Sequence, residues 1–405
     1  MKIRHLLFIY LVMVFQTGKL PAQPPLSNLN QTNPIGTPLF TGADQFLKFL
    51  PLLKDKRVAL VANQTSVVGN RHLADSLLAA GVNLVKIFAP EHGFRGEAEA
   101  GASIKSGKDI LSGLPVVSLY GKNKIPSRED LADVDLVIFD IQDVGARFYT
   151  YISTLSYVME SCARYDVEVL VLDRPNPNGY YVDGPVLKNE YRSFVGLHAI
   201  PIVHGMTMAE YALMVNGEGW LPDGMKCRLT NIPMIGYAHT DRYILSIPPS
   251  PNLPDMAAIY LYPSLCLFEG TVVSVGRGTP SPFTIIGHPD YPNHAFSFVP
   301  QQIKGVAENP PHQGVTCYGL DLKQKAGNIY KQGSLELHWL IEMYKELPDK
   351  TSYFNNFFDK LAGTPELRRQ IVAGKNEYEI RQSWQADLKN FKQIRKKYLL
   401  YPDFE

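Results

Sequence analysis

Short apolar runs punctuate the first half of the chain. Arg57–Ala62, Leu84–Ala89, Val116–Tyr120, Leu136–Asp140, Val169–Asp173 and Ile200–His204 are rich in Val, Ile, Leu and Phe. Such brief, nearly continuous hydrophobic runs suit strands buried on both faces. Helical patterns lie between several of them. Arg71–Ala80 is one. Tyr151–Arg164 is the clearest, with Ile152, Leu155, Val158, Met159 and Cys162 at helical spacing. Strands alternating with helices predict an α/β fold with a parallel, doubly wound sheet.

The pattern changes after Gly205. Met206–Asn216 reads as a helix, and Thr207 with Glu210 has the spacing of a capping box. A proline-rich stretch, Ile247–Pro254, follows. Leu265–Thr279 mixes apolar residues with Glu269, Gly270, Gly276, Arg277 and Gly278, and the C-terminal third is helical and charged. The expected units are an α/β domain over 42–205 and a smaller α+β domain over 206–405. Ahead of them, residues 1–23 read as a secretory signal: Lys2, Arg4 and His5 precede a short apolar run from Leu6 to Phe15. That run falls short of the ~20 residues that span a bilayer. No cysteine follows it, so no stable membrane anchor is expected. Residues 24–41 read as a flexible leader. The expected location is outside the cytoplasm, periplasmic or secreted.

At 405 residues the chain exceeds one ordinary core, in keeping with about two domains. Lys and Arg total 40 against 39 Asp and Glu, so charge points to no nucleic-acid partner. The four cysteines are far apart and have neither CxxC spacing nor the density of a disulfide scaffold. Tyrosine is abundant, at 22 residues. Flat tyrosine faces suit sugar C–H groups, although tyrosines buried in the core are commoner.

The chemistry gathers where strands end. Leu84–Ala89 runs into Pro90-Glu91-His92-Gly93-Phe94-Arg95, Leu136–Asp140 into Ile141-Gln142-Asp143 and on to Arg147 and Tyr149, and Val169–Asp173 into Arg174-Pro175-Asn176-Pro177. In an open parallel sheet, the carboxyl ends of the strands are where ligands bind. No GxGxxG, Walker A, HExxH or GxSxG motif is present, so no cofactor and no metal are expected. An acid-rich cleft remains. Glu91 is a turn carboxylate or a general acid or base, the latter favoured by its apolar neighbours. Asp143 and Arg147 are spaced for an ordinary ion pair or for direct contact with substrate. Asn63 and Gln64 end the first strand in the same layer. In the second half, Glu269 sits beside Gly270 and Arg277 between Gly276 and Gly278, glycines that would admit a ligand close to the backbone, and Ser250-Pro251-Asn252 forms another rigid polar loop.

These segments in order resemble the exo-β-N-acetylmuramidase family (NamZ type). The resemblance is carried by Pro90–Gly93, Phe139–Tyr151, Leu172–Pro177, His204–Thr207, Pro249–Asn252, Glu269–Thr271, Gly276–Thr279 and Arg395–Tyr401. It covers nearly the whole chain after the signal. It implies a Rossmann-like first domain, an active site in the cleft between two domains, and release of N-acetylmuramic acid from non-reducing ends of peptidoglycan fragments. It also implies a catalytic role for Glu91.

Glycoside hydrolysis normally needs two carboxyl groups. Glu269 is the preferred partner of Glu91, because it would reach across the cleft. Asp143 is the runner-up, and Glu160 and Glu168 are weaker. The candidates for substrate contact are Asn63, Gln64, His92, Arg95, Arg147, Tyr149, Asp173, Arg174, Asn176, His204, Asn252 and Arg277. One of Arg147, Arg174 and Arg277 is expected to grip the lactyl carboxylate that marks muramic acid. Two other readings compete: an exported binding protein that captures such sugars without cleaving them, and a hydrolase of another acidic sugar.

Overall fold

The structure, a computed structural model, describes residues 38–95 and 107–405. The signal expected at 1–23 and most of the leader expected at 24–41 lie outside them. Six parallel strands build the main sheet: β1 Val58–Ala62, β2 Leu84–Ala89, β3 Pro115–Ser118, β4 Leu136–Asp140, β5 Glu168–Leu172 and β6 Leu229–Ile232. Their spatial order is β3-β2-β1-β4-β5-β6, and the two-residue strand Gly107–Lys108 pairs antiparallel with β3 at the edge. This is the Rossmann strand order, whose direction of winding reverses between β1 and β4.

The period-two alternation of each strand decides its packing. Val58, Leu60, Ala62, Leu136, Ile138, Leu170 and Leu172 enter one apolar layer, and Ala59, Val61, Val137, Phe139, Val169 and Val171 enter the other. The first layer is covered by α1 Leu73–Ala79 together with Phe49 and Leu53. The second is covered by α2 Tyr151–Arg164 and α3 Met208–Gly217. Helix α2 has the bounds its spacing predicts. Helix α3 starts at the predicted capping box, with Thr207 accepting from the Glu210 amide and Glu210 accepting from the Thr207 amide.

Two expectations need correction. Ile200–His204 does not join the sheet; Val203 makes only isolated bridges to Ala146 and Asp183. The sixth strand is instead Leu229-Thr-Asn-Ile, a half-buried edge strand whose polar middle hides it from a hydrophobicity reading. The α/β unit therefore continues well past residue 205. The apolar layer beneath α2 and α3 also runs on without a break into Leu261, Leu267, Phe268, Leu340 and Phe391. The second unit is packed onto one face of the sheet and shares its core. It contains α4 Met256–Leu265, a small antiparallel sheet of β7 Ile285–His288, β8 Ser297–Phe298 and β9 Cys317–Asp321 with β9 central, and a set of C-terminal helices. All four cysteines are buried and unpaired.

Candidate active site

Glu91 follows β2 directly. The next residues, His92 and Gly93, have φ of 70° and 82°, so the chain turns sharply off the sheet. A positive φ is uncommon outside glycine and tolerated better by His than by β-branched residues. The turn leaves Glu91 half-buried at the carboxyl end of the sheet. Thr150 stands at the start of α2, where a hydroxyl usually caps the helix, yet it makes no cap; its Oγ1 donates to Glu91 Oε2 at 2.7 Å. Tyr151, one residue on, receives a hydrogen bond from Asn63 Nδ2 at 3.0 Å and donates to the Pro249 carbonyl at 3.3 Å.

Glu91 and His92 line a cavity of about 190 Å³, together with Tyr120, Phe148–Tyr151, Phe194 and Val195 from the first half of the chain. Ser250, Asn252, Leu253, Tyr262, Glu269, Arg277, Phe283 and Phe357 close it from the second half. Its aromatic wall is knitted edge to face. Tyr149 meets Tyr151 at 4.8 Å and Tyr262 at 5.7 Å, Phe148 meets Tyr262 at 5.4 Å, and Tyr262 meets Phe283 at 5.0 Å. Such contacts fix ring orientation as well as burying area. Arg277 lies 5.1 Å from the Phe283 ring centre, and its Nε donates to Glu269 Oε1 at 2.7 Å. Cys266 Sγ lies 3.4 Å from Glu269 Oε2.

Of the residues singled out in the sequence, Glu91, His92, Tyr149, Asn252, Glu269 and Arg277 meet at this cavity. The others are placed elsewhere, and their contacts explain why. Arg147 is fully buried, and it donates to the carbonyls of Pro185, Ile200 and Leu361, each at 2.8 Å. Arg174 is forked onto Asp140 at 2.6 and 2.9 Å beneath the sheet's rim. Asp173 accepts from the Thr207 hydroxyl, the Ala209 amide and Tyr401, and so anchors the start of α3. Asn176 braces its loop against the Met206 carbonyl and the Asn178 amide. Arg95 is forked onto Asp109 at 2.8 and 2.9 Å. Asn63 positions Tyr151, and Gln64 donates to the carbonyls of Pro248 and Pro249 to tie down the proline-rich loop. These seven residues make scaffold contacts and are not among those that line the cavity.

Asp143 and His204 form a buried pair off the cavity. Asp143 Oδ2 accepts from the Gly145 amide at 2.6 Å, and burial pushes its carboxyl up to about 7. His204 Nε2 is 3.9 Å from that oxygen, too far for a hydrogen bond, and burial pushes its imidazole down to about 3. Asp143, the runner-up acid, is thus outside the cavity lining. Thr150, Tyr262, Phe283 and Phe357 were missed by the sequence reading. Thr150 carries a weak signal, being a hydroxyl at a predicted helix start three residues after a candidate arginine. Tyr262 lies in an apolar helix with nothing to mark it.

Carboxylates from both halves of the chain share one aromatic-walled cavity at the carboxyl ends of a Rossmann-ordered sheet, which is the setting of an α/β carbohydrate-active hydrolase. The comparisons with known proteins agree. The chain belongs to the exo-β-N-acetylmuramidase NamZ family, a family of glycosidases: the family's N-terminal signature matches residues 58–257 and its C-terminal signature residues 260–401. Peptidoglycan β-N-acetylmuramidase NamZ of Bacillus subtilis (strain 168) is 35% identical, with 98% of this chain and all of that protein aligned. A crystal structure of a DUF1343 family protein from Bacteroides fragilis NCTC 9343 superposes with a TM-score of 0.85 at 48% identity, over 91% of this chain and 100% of that one. A second from the same organism gives 0.79 at 29% identity, over 90% and 99%.

Proposed function

We propose that this protein is an exo-acting glycoside hydrolase that releases N-acetylmuramic acid from the non-reducing ends of peptidoglycan-derived saccharides. The observation that carries the reading is the pair Glu91 and Glu269, brought from opposite halves of the chain to one cavity. Hydrolysis of a glycosidic bond is normally run by two such groups. Glu91, hydrogen-bonded by the neutral Thr150 hydroxyl, gives its proton to the leaving oxygen as the C1–O bond breaks. Glu269, ion-paired with Arg277, attacks C1 or takes the proton of the water that does. The cavity, of about 190 Å³, is where the terminal sugar is placed in this reading. The aromatic rings cover the sugar's C–H faces. Arg277, the one sequence-nominated arginine at the cavity, receives the lactyl carboxylate.

The named activity of the Bacillus subtilis relative supports this reading. Export to the periplasm or medium belongs to it too, in keeping with the basic and apolar segment at 1–23. No helix among the described residues is long and apolar enough to cross a membrane. The test is to incubate the protein with the disaccharide of N-acetylmuramic acid and N-acetylglucosamine and to follow free muramic acid. Glu91→Gln and Glu269→Gln should each fold normally and lose ~10²–10⁴-fold in kcat. A Glu91→Gln protein that turns over at the wild-type rate would overturn the assignment. A wild-type protein that binds the disaccharide without cleaving it would favour the binding-protein reading.

A further inference from the structure

A second hollow, of about 520 Å³, opens beside the cavity. The two spaces have no lining residue in common, but two chain segments run from one to the other. On one side Tyr191 and Arg192 line the hollow, and Phe194 and Val195, just beyond them, line the cavity. On the other side Asn355 and Asn356 line the hollow and Phe357 the cavity, while Asn355 Nδ2 donates to the Glu269 backbone carbonyl at 3.3 Å. Each wall therefore passes from one space to the next within a few residues of continuous chain.

The hollow is polar, and its charge is unbalanced. Arg192, Lys350, Lys360 and Arg368 face only Glu190 and Asp359. Two of the cations are already engaged. Arg368 is forked onto Asp359 at 3.0 and 2.8 Å, and Lys350 Nζ donates to the carbonyls of Tyr344, Lys345 and Leu347. Arg192 and Lys360 are exposed, and among the described residues their side chains have neither an ion pair nor a hydrogen bond. If one terminal sugar fills the cavity, as the exo-acting reading above requires, the rest of the glycan leaves through its mouth.

We propose that the hollow is a subsite on the leaving-group side that holds an acidic sugar further along the same glycan, its carboxylate received by Arg192 and Lys360. A neutral chain would give two unpaired cations nothing to meet, whereas a glycan in which acidic and neutral sugars alternate returns a carboxylate beyond the first leaving sugar. Binding of this kind acts on substrate and transition state alike, so it lowers KM and leaves kcat alone.

The double variant Arg192→Met/Lys360→Met tests this against three substrates: a muramic acid glycoside with a small chromogenic leaving group, a tetrasaccharide of alternating N-acetylmuramic acid and N-acetylglucosamine, and that tetrasaccharide with its carboxyls reduced to alcohols. Relative to wild type, kcat/KM on the acidic tetrasaccharide should fall about 5–30-fold, nearly all of it in KM, as expected for two half-screened ion pairs. The other two substrates should change less than ~2-fold. No change on the acidic tetrasaccharide, or an equal loss on all three, overturns the subsite. Calorimetric binding of the acidic tetrasaccharide to Glu91→Gln protein, with and without the double variant, decides the subsite without turnover. Release of muramic acid by wild type is judged separately, so failure of the hydrolase reading and failure of the subsite are told apart.

Discussion

Arg277 faces two demands at once. Its Nε holds Glu269, and in the proposed function the rest of its fork receives the lactyl carboxylate. Replacing it by Met would strip Glu269 of its cation and depress turnover of every substrate, which hides any effect on selectivity. Arg277→Lys keeps the charge but loses the planar fork that matches a carboxylate with two parallel bonds. It is expected to cost ~10-fold more on a chromogenic muramic acid glycoside than on its N-acetylglucosamine counterpart, measured as the ratio of kcat/KM values. An unchanged ratio would mean that the lactyl group is recognised elsewhere. Asp143 has a different part. Its carboxyl is raised to about 7 by burial, against ~3.9 unfolded. Between those values the folded state holds the extra proton, so this group makes stability fall as pH rises from about 4 to about 7, and the penalty stays in force above that. Asp143→Asn removes the penalty and keeps an acceptor for the Gly145 amide. Thermal unfolding should show the variant gaining on wild type by several degrees more at pH 8 than at pH 4. Turnover should stay within ~10-fold of wild type, and abolished turnover in a well-folded variant would restore Asp143 as the second acid.

At the scale of elements, the site depends on how a few segments approach one another. Glu269 is the penultimate residue of a short 3-10 turn, Cys266–Gly270, that packs against Phe358. A Cβ on Gly270 would come within 2.4 Å of the Phe358 Cα, and backbone on both sides cannot swing aside as a flexible side chain can. Gly270→Ala must push the two segments apart and carry Glu269 and Phe357 with them. Small displacements of a catalytic group are costly, so activity should drop ~10²-fold with overpacking costing about 1–3 kcal/mol of stability. Urea unfolding beside a disaccharide assay checks both, and near-wild-type activity would show that this turn does not set the position of Glu269. The start of α2 illustrates the same economy. Thr150 gives its hydroxyl to Glu91 and leaves the helix end without a side-chain cap.

Across the whole molecule, Arg147 fastens the two halves. It reaches carbonyls from Pro185, Ile200 and, in the C-terminal part, Leu361, and makes no ion pair among the described residues. Burial lowers its pKa to about 9, which still leaves it charged at neutral pH. Gly363 makes room: a Cβ there would lie 2.7 Å from the guanidinium, and its φ of 76° already favours glycine. Arg147→Met would take the guanidinium donor from the Pro185 and Leu361 carbonyls, at about 1–3 kcal/mol each when unsatisfied, while the Ile200 carbonyl keeps the Leu187 amide. A fall in Tm of 10 °C or more is expected, with no change in preference between muramic acid and N-acetylglucosamine glycosides in whatever protein folds. A shift in that preference would return Arg147 to the substrate. Because the apolar layer is continuous from sheet to C-terminal helices, unfolding should follow one transition by both fluorescence and circular dichroism.

The sequence by itself determined the parallel strands β1 to β5, helix α2 to the residue, the capping box of α3 and the polar strand ends that frame the cleft. Each is set by local periodicity or by spacing within one turn, so each is written within a short window. The motifs also determined the family and nominated Glu91, Glu269 and Arg277, which the fold gathers at one cavity. Only the tertiary structure decided which charged residues face that cavity. Arg147, Arg174 and Arg277 look alike in sequence, each within two residues of a glycine, proline or acid. Their fates differ because Leu361, Asp140 and Glu269, the groups that engage them, are brought near by folding over separations of 214, 34 and 8 residues. The edge strand Leu229–Ile232 escaped for the same reason, since its place beside β5 comes from backbone pairing across the sheet and not from any pattern of its own.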